Sequence, residues 1–384
     1  LRGLPRAGGS LPPSPGISRL MSAISPWLRR ARFTLPRRRH LSTAGGVVED
    51  DEWVRVKRNV APSIRSSIAN PKFLTTPKQC TVIGAPMTFG QPLAGTDEGP
   101  ELIRSLGLRD ALTQLEWRVD DVGDLDFAAP RSDDPLLPKA AGKAKNCFAV
   151  GKSMETLSAA VYDSASAGSF PLTVGGDHSV AAGSVSGALQ ARPDSVVIWV
   201  DAHADINTPE SSPSGNLHGM PIALLSRLVE PSTLPGWEWM EETPRLDPRD
   251  LIFIGLRDVD SGEVEMIREL GIPAFTMQHI DKWGIGGVME RALELAGTER
   301  PIHMSLDIDA VDPLHAPSTG TVVRGGLSYR EAHYVVEAIG DTGQLASMDI
   351  VEVNPMLSKE GDGARQTAEL ALALVESAMG SRII

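Results

Sequence analysis

The sequence predicts an α/β fold: one large domain built on an eight-stranded, mainly parallel sheet flanked by helices. Three observations carry this. Short apolar, β-branched runs recur along the chain, and helical patterns lie between most of them. The runs are near-continuously apolar rather than alternating, as strands covered on both faces must be. Eight such strands suit a single large domain. In order, the strands are Cys80-Thr-Val-Ile-Gly, Trp117-Arg-Val-Asp-Asp-Val, Pro171-Leu-Thr-Val, Ser195-Val-Val-Ile-Trp-Val, Leu251-Ile-Phe-Ile-Gly, Pro273-Ala-Phe-Thr-Met, Ile302-His-Met-Ser-Leu and Leu345-Ala-Ser-Met-Asp-Ile. Helices are predicted over 100–115, 149–167, 180–191, 262–270, 286–297, 328–339 and 366–379. Residues 207–219 and 230–250, rich in Pro, Ser, Gly and Glu, read as long loops, which in a compact domain are often functional.

Composition bounds the rest. With 41% hydrophobic residues the 384-residue chain can bury a sizeable core, and 22% charged residues exclude a wholly disordered protein. No apolar run reaches the roughly 18 residues a spanning helix needs. The two cysteines, Cys80 and Cys147, form no Cys-x-x-Cys pair, which excludes a disulfide scaffold and a zinc ribbon. Charge is unevenly spread. Nine arginines but no lysine, Asp or Glu precede Glu49, leaving 28 basic against 49 acidic residues in the remainder. An arginine-rich, acid-free arm ahead of an acidic body is the composition of an organellar transit peptide. The expected organisation is therefore 1–48 as a transit peptide, 49–77 as an extension or linker, and 78–384 as the catalytic domain. The expected location is the mitochondrion, with the plastid as alternative, or the cytoplasm if 1–48 is no transit peptide. A nucleic-acid-binding arm is the rival reading, but the acidic body would repel phosphate.

The chemistry falls at strand ends, where open α/β sheets bind ligands. Gly175-Gly176-Asp177-His178-Ser179 follows the third strand, and its glycines allow a sharp turn that aims His178 at the sheet edge. Asp201-Ala202-His203-Ala204-Asp205 follows the fourth. Residues two apart share a face of an extended chain, so Asp201, His203 and Asp205 converge if the chain bends after the strand. Asp307-Ile308-Asp309 follows the seventh strand. Buried carboxylates at this spacing repel strongly unless a cation compensates them. Four carboxylates and two imidazoles exceed the needs of one tetrahedral zinc. They suit two divalent ions bridged by carboxylates, and oxygen-rich ligation with some imidazole favours manganese. The implied reaction is metal-assisted hydrolysis of a poor electrophile.

These three segments, in this order, resemble the metal motifs of the ureohydrolases, the family of arginase, agmatinase, proclavaminate amidinohydrolase and formimidoylglutamase. Further segments are similar to the arginases within it. They are Ile83-Gly84-Ala85-Pro86 with Gly90-Gln91-Pro92 and Gly99-Pro100; Asn207-Thr208-Pro209 through Ser214-Gly215-Asn216-Leu217-His218-Gly219; Gly255-Leu256-Arg257-Asp258-Val259-Asp260; Gly325-Gly326-Leu327-Ser328-Tyr329-Arg330-Glu331; and Asp349-Ile350-Val351-Glu352-Val353-Asn354-Pro355. The resemblance covers about 78–380.

It implies a binuclear manganese hydrolase converting L-arginine and water to L-ornithine and urea, with two Mn2+ per subunit. His178 and Asp205 would bind one ion and His203 and Asp309 the other, with Asp201 and Asp307 bridging. A metal-bridging hydroxide would attack the guanidinium carbon. Asp205 would pass its proton to the departing amine, His218 would act as proton shuttle, and Glu352 would hold the guanidinium, near Thr321. Asn207, Ser212, Ser214 and Asn216 are neutral donors suited to the α-carboxylate, and Asp260, helped by Glu263 through water, suits the α-ammonium. A site built for a carboxylate rejects an analogue lacking it, which favours arginine over agmatine; the alternative is an agmatinase or another guanidino-acid ureohydrolase. Ser212 stands where many arginases have Thr, and Ala310 where Gly is frequent. Leu93 occupies a position that is often basic in the family. Arg330 and Glu331 resemble the charged pair that crosses the family's trimer interface, so a homotrimer is expected, with a hexamer as alternative. The expected partner is the small-molecule substrate, with no nucleic acid and no membrane.

Overall fold

Each predicted apolar run forms a strand: β1 (Gln79–Ala85), β2 (Arg118–Asp124), β3 (Phe170–Gly175), β4 (Val196–Val200), β5 (Leu251–Leu256), β6 (Ala274–Thr276), β7 (Ile302–Asp307) and β8 (Leu345–Val351). This computed structural model describes residues 71–137, 142–358 and 362–382; the arginine-rich arm and most of the 49–77 extension lie outside them. The strands make one sheet in the order β2-β1-β3-β8-β7-β4-β5-β6. Every pairing is parallel, so the sheet is wholly rather than mainly parallel.

Apolar strands are needed because both faces are covered. In β4 the side chains of Val196, Ile198 and Val200 join one hydrophobic cluster and those of Val197 and Trp199 the other. On the first face lie α1 (Gly99–Ser105), α2 (Leu108–Gln114), α7 (Met277–Ala296), α8 (Tyr329–Asp341) and α9 (Gly363–Ala378). On the second lie α3 (Cys147–Ser166), α4 (Ala181–Ala191), α5 (Pro221–Leu225) and α6 (Ser261–Leu270).

Three elements depart from the sequence reading. The helix expected over 100–115 is two short helices, broken at Leu106–Gly107. Helix α7 begins nine residues before the predicted start and kinks at Gly284, whose φ of 69° and ψ of 161° are non-helical; the break in periodicity hid its first half. Helix α5 was not foreseen: its five residues are all buried, so no amphipathic period marks it. The 230–250 segment is a loop with three short 3-10 turns, anchored where Trp237 Nε1 donates to the Cys147 carbonyl at 3.0 Å.

The topology positions the site. β3 and β4 are consecutive in sequence, yet β8 and β7 lie between them in space. The carboxyl ends of four adjacent central strands therefore open on one region. All the motif residues sit there.

Candidate metal centre and active site

The first ligand is aimed by backbone packing. After β3 the chain passes so close to Met87 that a Cβ on Gly176 would lie 1.9 Å from its carbonyl oxygen, which only glycine allows. Asp177 then accepts from Ser179 N at 3.0 Å and Ser179 Oγ at 2.5 Å, capping a short turn that carries His178. The other two motifs share one device. Asp201 Oδ1 accepts from His203 N at 2.7 Å, and Asp307 Oδ1 accepts from Asp309 N at 2.7 Å. In each, the first carboxylate folds the chain back on itself and so delivers the next ligand to the same side. This is the bend the sequence reading required.

Two groups of ligand atoms result, His178–Asp201–Asp205 and Asp201–His203–Asp309. His178 Nδ1 lies 3.0 Å from Asp201 Oδ2, 3.1 Å from Asp205 Oδ2 and 3.1 Å from Asp307 Oδ2. His203 Nδ1 lies 3.1 Å from Asp309 Oδ2 and 3.4 Å from Asp201 Oδ1. Asp201 thus turns one oxygen to each group. His178 Nδ1 is buried and hydrogen-bonded to none of the oxygens around it. A ring nitrogen facing three carboxylates without hydrogen-bond geometry is what convergence on a cation produces.

Electrostatics makes the same demand. Burial, together with Asp309 and Asp201, holds the Asp307 carboxyl well above its usual range. Burial and Asp201 push Asp309 up to about 7 and raise Asp205. Burial would lower both imidazoles, but the carboxylates outweigh it, holding His178 well above its usual value and His203 up to about 12. Asp201 alone is held low: His178 and His203 overcome its burial. Carboxyl groups raised by one another mark a site short of positive charge, and this donor set could hold divalent cations.

Beside these ligands lies a cleft of about 220 Å3, lined by the remaining predicted residues: His218, Glu352, Asn207, Ser212, Ser214, Asn216, Asp260, Glu263 and Thr321. Glu352 and Asp205 both hold left-handed backbone, φ 65° and 49°; such strain in non-glycine residues collects at functional sites. Glu352 Oε1 lies 3.4 Å from His218 Nδ1, while Oε2 is buried with no hydrogen-bond partner. Burial would lower the His218 pKa, but Glu352 outweighs it and raises it to about 9.

At the outer end, Ser212 Oγ accepts from Gly215 N at 2.9 Å and Ser214 Oγ from Asn216 N at 3.2 Å. The turn thereby occupies hydroxyl lone pairs; the two hydroxyls lie 3.5 Å apart, so one O–H can serve the other and at least one is left to donate. Asn207 Nδ2 donates to Asp260 Oδ2 at 3.2 Å. Glu263 plays a part the sequence did not suggest. Its two oxygens accept from Ile206 N at 3.1 Å and Asp260 N at 3.0 Å, tying the Asp205 loop to the start of α6. Burial and Asp205 push its carboxyl up to about 7. Arg330 is exposed, and Glu331 Oε2 accepts from Ser328 N at 2.9 Å as part of a helix capping box.

Three contributors escaped the sequence reading. Asp177 Oδ2 accepts from Gly90 N at 2.8 Å, and the Gly90 carbonyl accepts from His218 N at 3.0 Å, so a buried acid seats the His218 loop. The Trp199 indole stacks on His178 with ring centroids 4.1 Å apart and donates Nε1 to Asp201 Oδ2 at 2.9 Å. Lys145 Nζ donates to Asn216 Oδ1 at 3.0 Å, which turns the Asn216 amide hydrogens away from the lysine. Only the Asp177 position, inside a motif, carried any signal.

Residues 78–380 match the arginase family. The chain belongs to that family. Rat Arginase-1 is 45% identical over 310 residues, covering 80% of this chain and 94% of its own length. Human Arginase-1 is 44% identical over 303 residues, covering 78% and 92%. Among solved structures, the arginase of Bacillus caldovelox matches with a TM-score of 0.72 and 37% identity, over 80% of this chain and 100% of that one. The Entamoeba histolytica arginase, solved in complex with L-ornithine, matches with a TM-score of 0.68 and 30% identity, over 79% and 99%. As an arginase, this chain hydrolyses L-arginine to L-ornithine and urea.

Proposed function

We propose that the arginase reaction here uses two Mn2+ ions, held by His178 and Asp205 on one side and His203 and Asp309 on the other, with Asp201 and Asp307 shared. The observation that carries the reading is the partnerless Nδ1 of His178 facing three carboxylate oxygens at 3.0–3.1 Å. When bound, such a pair lowers the pKa of a shared water and supplies hydroxide near neutral pH. The chain's own residues do the rest. The free Oε2 of Glu352 pairs with the substrate guanidinium and fixes its carbon over the carboxylate floor. Asp205 moves the proton to the departing amine. His218, held protonated by Glu352, returns a proton from the solvent side.

The outer ring sets specificity. Ser212, Ser214, Asn207 and Asn216 donate to the α-carboxylate, and Asp260 faces the α-ammonium. Agmatine leaves these donors unpaired, which disfavours it. Assembly as a homotrimer through the Arg330–Glu331 region, and mitochondrial import directed by residues 1–48, belong to the same reading. They are supported by resemblance and by the acid-free arginine arm. The test is urea release by metal-stripped protein, with and without added Mn2+, on arginine and agmatine in parallel. Restoration by Mn2+ with arginine preferred is the expected result. Full activity in stripped protein, or preference for agmatine, would overturn the reading.

A further inference from the structure

Behind the metal floor lies a buried polar network that the reaction does not use. His178 Nε2 lies 2.9 Å from Ser305 Oγ, and Ser305 Oγ donates to Asp349 Oδ1 at 2.6 Å. Asp349 Oδ2 also accepts from Ser184 Oγ at 2.5 Å and lies 3.0 Å from His303 Nε2. His303 Nδ1 is 2.8 Å from Ser347 Oγ. All of these side chains are essentially solvent-free, from 0 to 3% exposed. Polar groups this deep are costly unless fully paired, and β4, which brings three of the motif residues, contributes none of them. Apart from His178, in the turn after β3, they come from α4, β7 and β8.

Hydrogen-bond direction runs one way through this chain. An ionised carboxylate only accepts, and Asp349 is ringed by the Ser305 and Ser184 hydroxyls and the His303 ring, which favour that form. Ser305 must therefore spend its single O–H on Asp349. Only a lone pair is left for His178, so His178 Nε2 must carry hydrogen. Where a cation replaces the proton that the surrounding carboxylates otherwise favour on Nδ1, the imidazole is neutral with its one hydrogen on Nε2, and Nδ1 is the atom that faces Asp201, Asp205 and Asp307.

We infer that Asp349, acting through Ser305, sets the tautomer of His178 and so presents an unprotonated Nδ1 to a divalent cation. Asp349 is a positioning residue, sitting two hydrogen bonds from the ligand atom, with His303 and Ser184 fixing its orientation in turn. The inference rests on the proposed role of His178 as a metal ligand. Partners of this kind commonly change metal affinity by about 10–100-fold.

The polarity argument makes Asp349→Asn informative, because it conserves shape. An asparagine amide can donate to Ser305, whose O–H is then free to point at His178 Nε2 and drive the proton to Nδ1. Mn2+ binding to metal-stripped protein, followed by the electron paramagnetic resonance of free Mn2+, should weaken by about 10–100-fold. Ser305→Ala should weaken it comparably, and the double variant should be no more than about twofold worse than either, since both act through one relay. Unchanged affinity in Asp349→Asn, or losses that multiply in the double variant, would overturn the relay. Where Asp349→Asn does not fold, the unaltered chain loaded with diamagnetic Zn2+ decides by nitrogen-15 spectra of His178. An exchange-protected proton on Nε2 is expected, and its absence refutes the inference. A failure of the unaltered chain to bind Mn2+ at all would instead remove the ligand reading beneath it.

Discussion

The backbone N–H of His178 donates to Oε1 of Glu352 at 2.9 Å, so the first candidate metal ligand and the residue proposed to anchor the substrate guanidinium are directly joined. Glu352 reaches this position in left-handed backbone, at a typical cost of about 1–3 kcal/mol. Its own N–H donates to the Gly176 carbonyl at 2.8 Å, locking the loop after β8 to the loop after β3. One oxygen is thus committed to structure, while the other is buried with no hydrogen-bond partner.

Glu352→Gln preserves an acceptor for the His178 N–H and deletes the charge. Losing a charged hydrogen-bond partner costs about 1.5–3 kcal/mol, or roughly ten- to a hundredfold. The value of kcat/KM should fall by at least that for arginine and agmatine alike, since both carry the guanidinium. Steady-state kinetics on the two substrates checks it; a loss confined to arginine would place Glu352 at the wrong end.

Asp201 gives one oxygen to each ligand group, whereas His203 serves one. Asp201→Ala should therefore remove both Mn2+ ions from the isolated protein and His203→Ala chiefly one. Metal content after dialysis distinguishes the two. Equal, mild losses would argue against a shared ligand.

Ser214→Ala removes an O–H whose lone pair the Asn216 N–H already occupies, leaving the turn with little to lose beyond one acceptor. The KM for arginine should rise roughly ten- to a hundredfold, the range for a donor to a charged group. Agmatine should change little, and the arginine-to-agmatine preference should narrow. An unchanged ratio means that this loop does not bind the carboxylate.

His218 carries a pKa raised to about 9 by Glu352 against the pull of burial. Because the folded value exceeds the ordinary histidine value of about 6.5, the imidazolium stabilises the fold fully below that ordinary value. The contribution is lost as pH rises through about 9. Histidine resonances of the unaltered protein should titrate accordingly. In Glu352→Gln the pKa should drop, since burial then acts with less opposition. Comparing denaturant stability of His218→Asn with the unaltered protein from pH 6 to 10 should show the difference closing toward the alkaline end.

Strands were the most legible part of the fold because each is a local apolar run, such as Val196–Val200. Elements without a local period were not. Helix α5 is buried on every side, and the first half of α7 is hidden behind the Gly284 kink. In the site, the ligands could be read because Asp201, His203 and Asp205, like Asp307 and Asp309, lie two apart in motifs that bend at strand ends. Glu263 was assigned a substrate role through α-ammonium chemistry. One oxygen closes a capping box on the Asp260 N–H, which the Asp-x-x-Glu spacing encodes locally, and the other takes the Ile206 N–H, a contact across 57 residues that no local pattern announces.

The sequence by itself determined the sheet-and-helix character, the reaction class and which side chains are candidate ligands, because strand patterning and ligand spacing are properties of short segments. Only the tertiary structure decided which groups support those ligands. Lys145 meets Asn216 across 71 residues, Asp177 meets Gly90 across 87, and Ser305 meets Asp349 across 44. Asp177 reaches Gly90 because β3 pairs with β1, and Ser305 reaches Asp349 because β7 pairs with β8; strand order is set by packing the whole core, which no segment encodes alone.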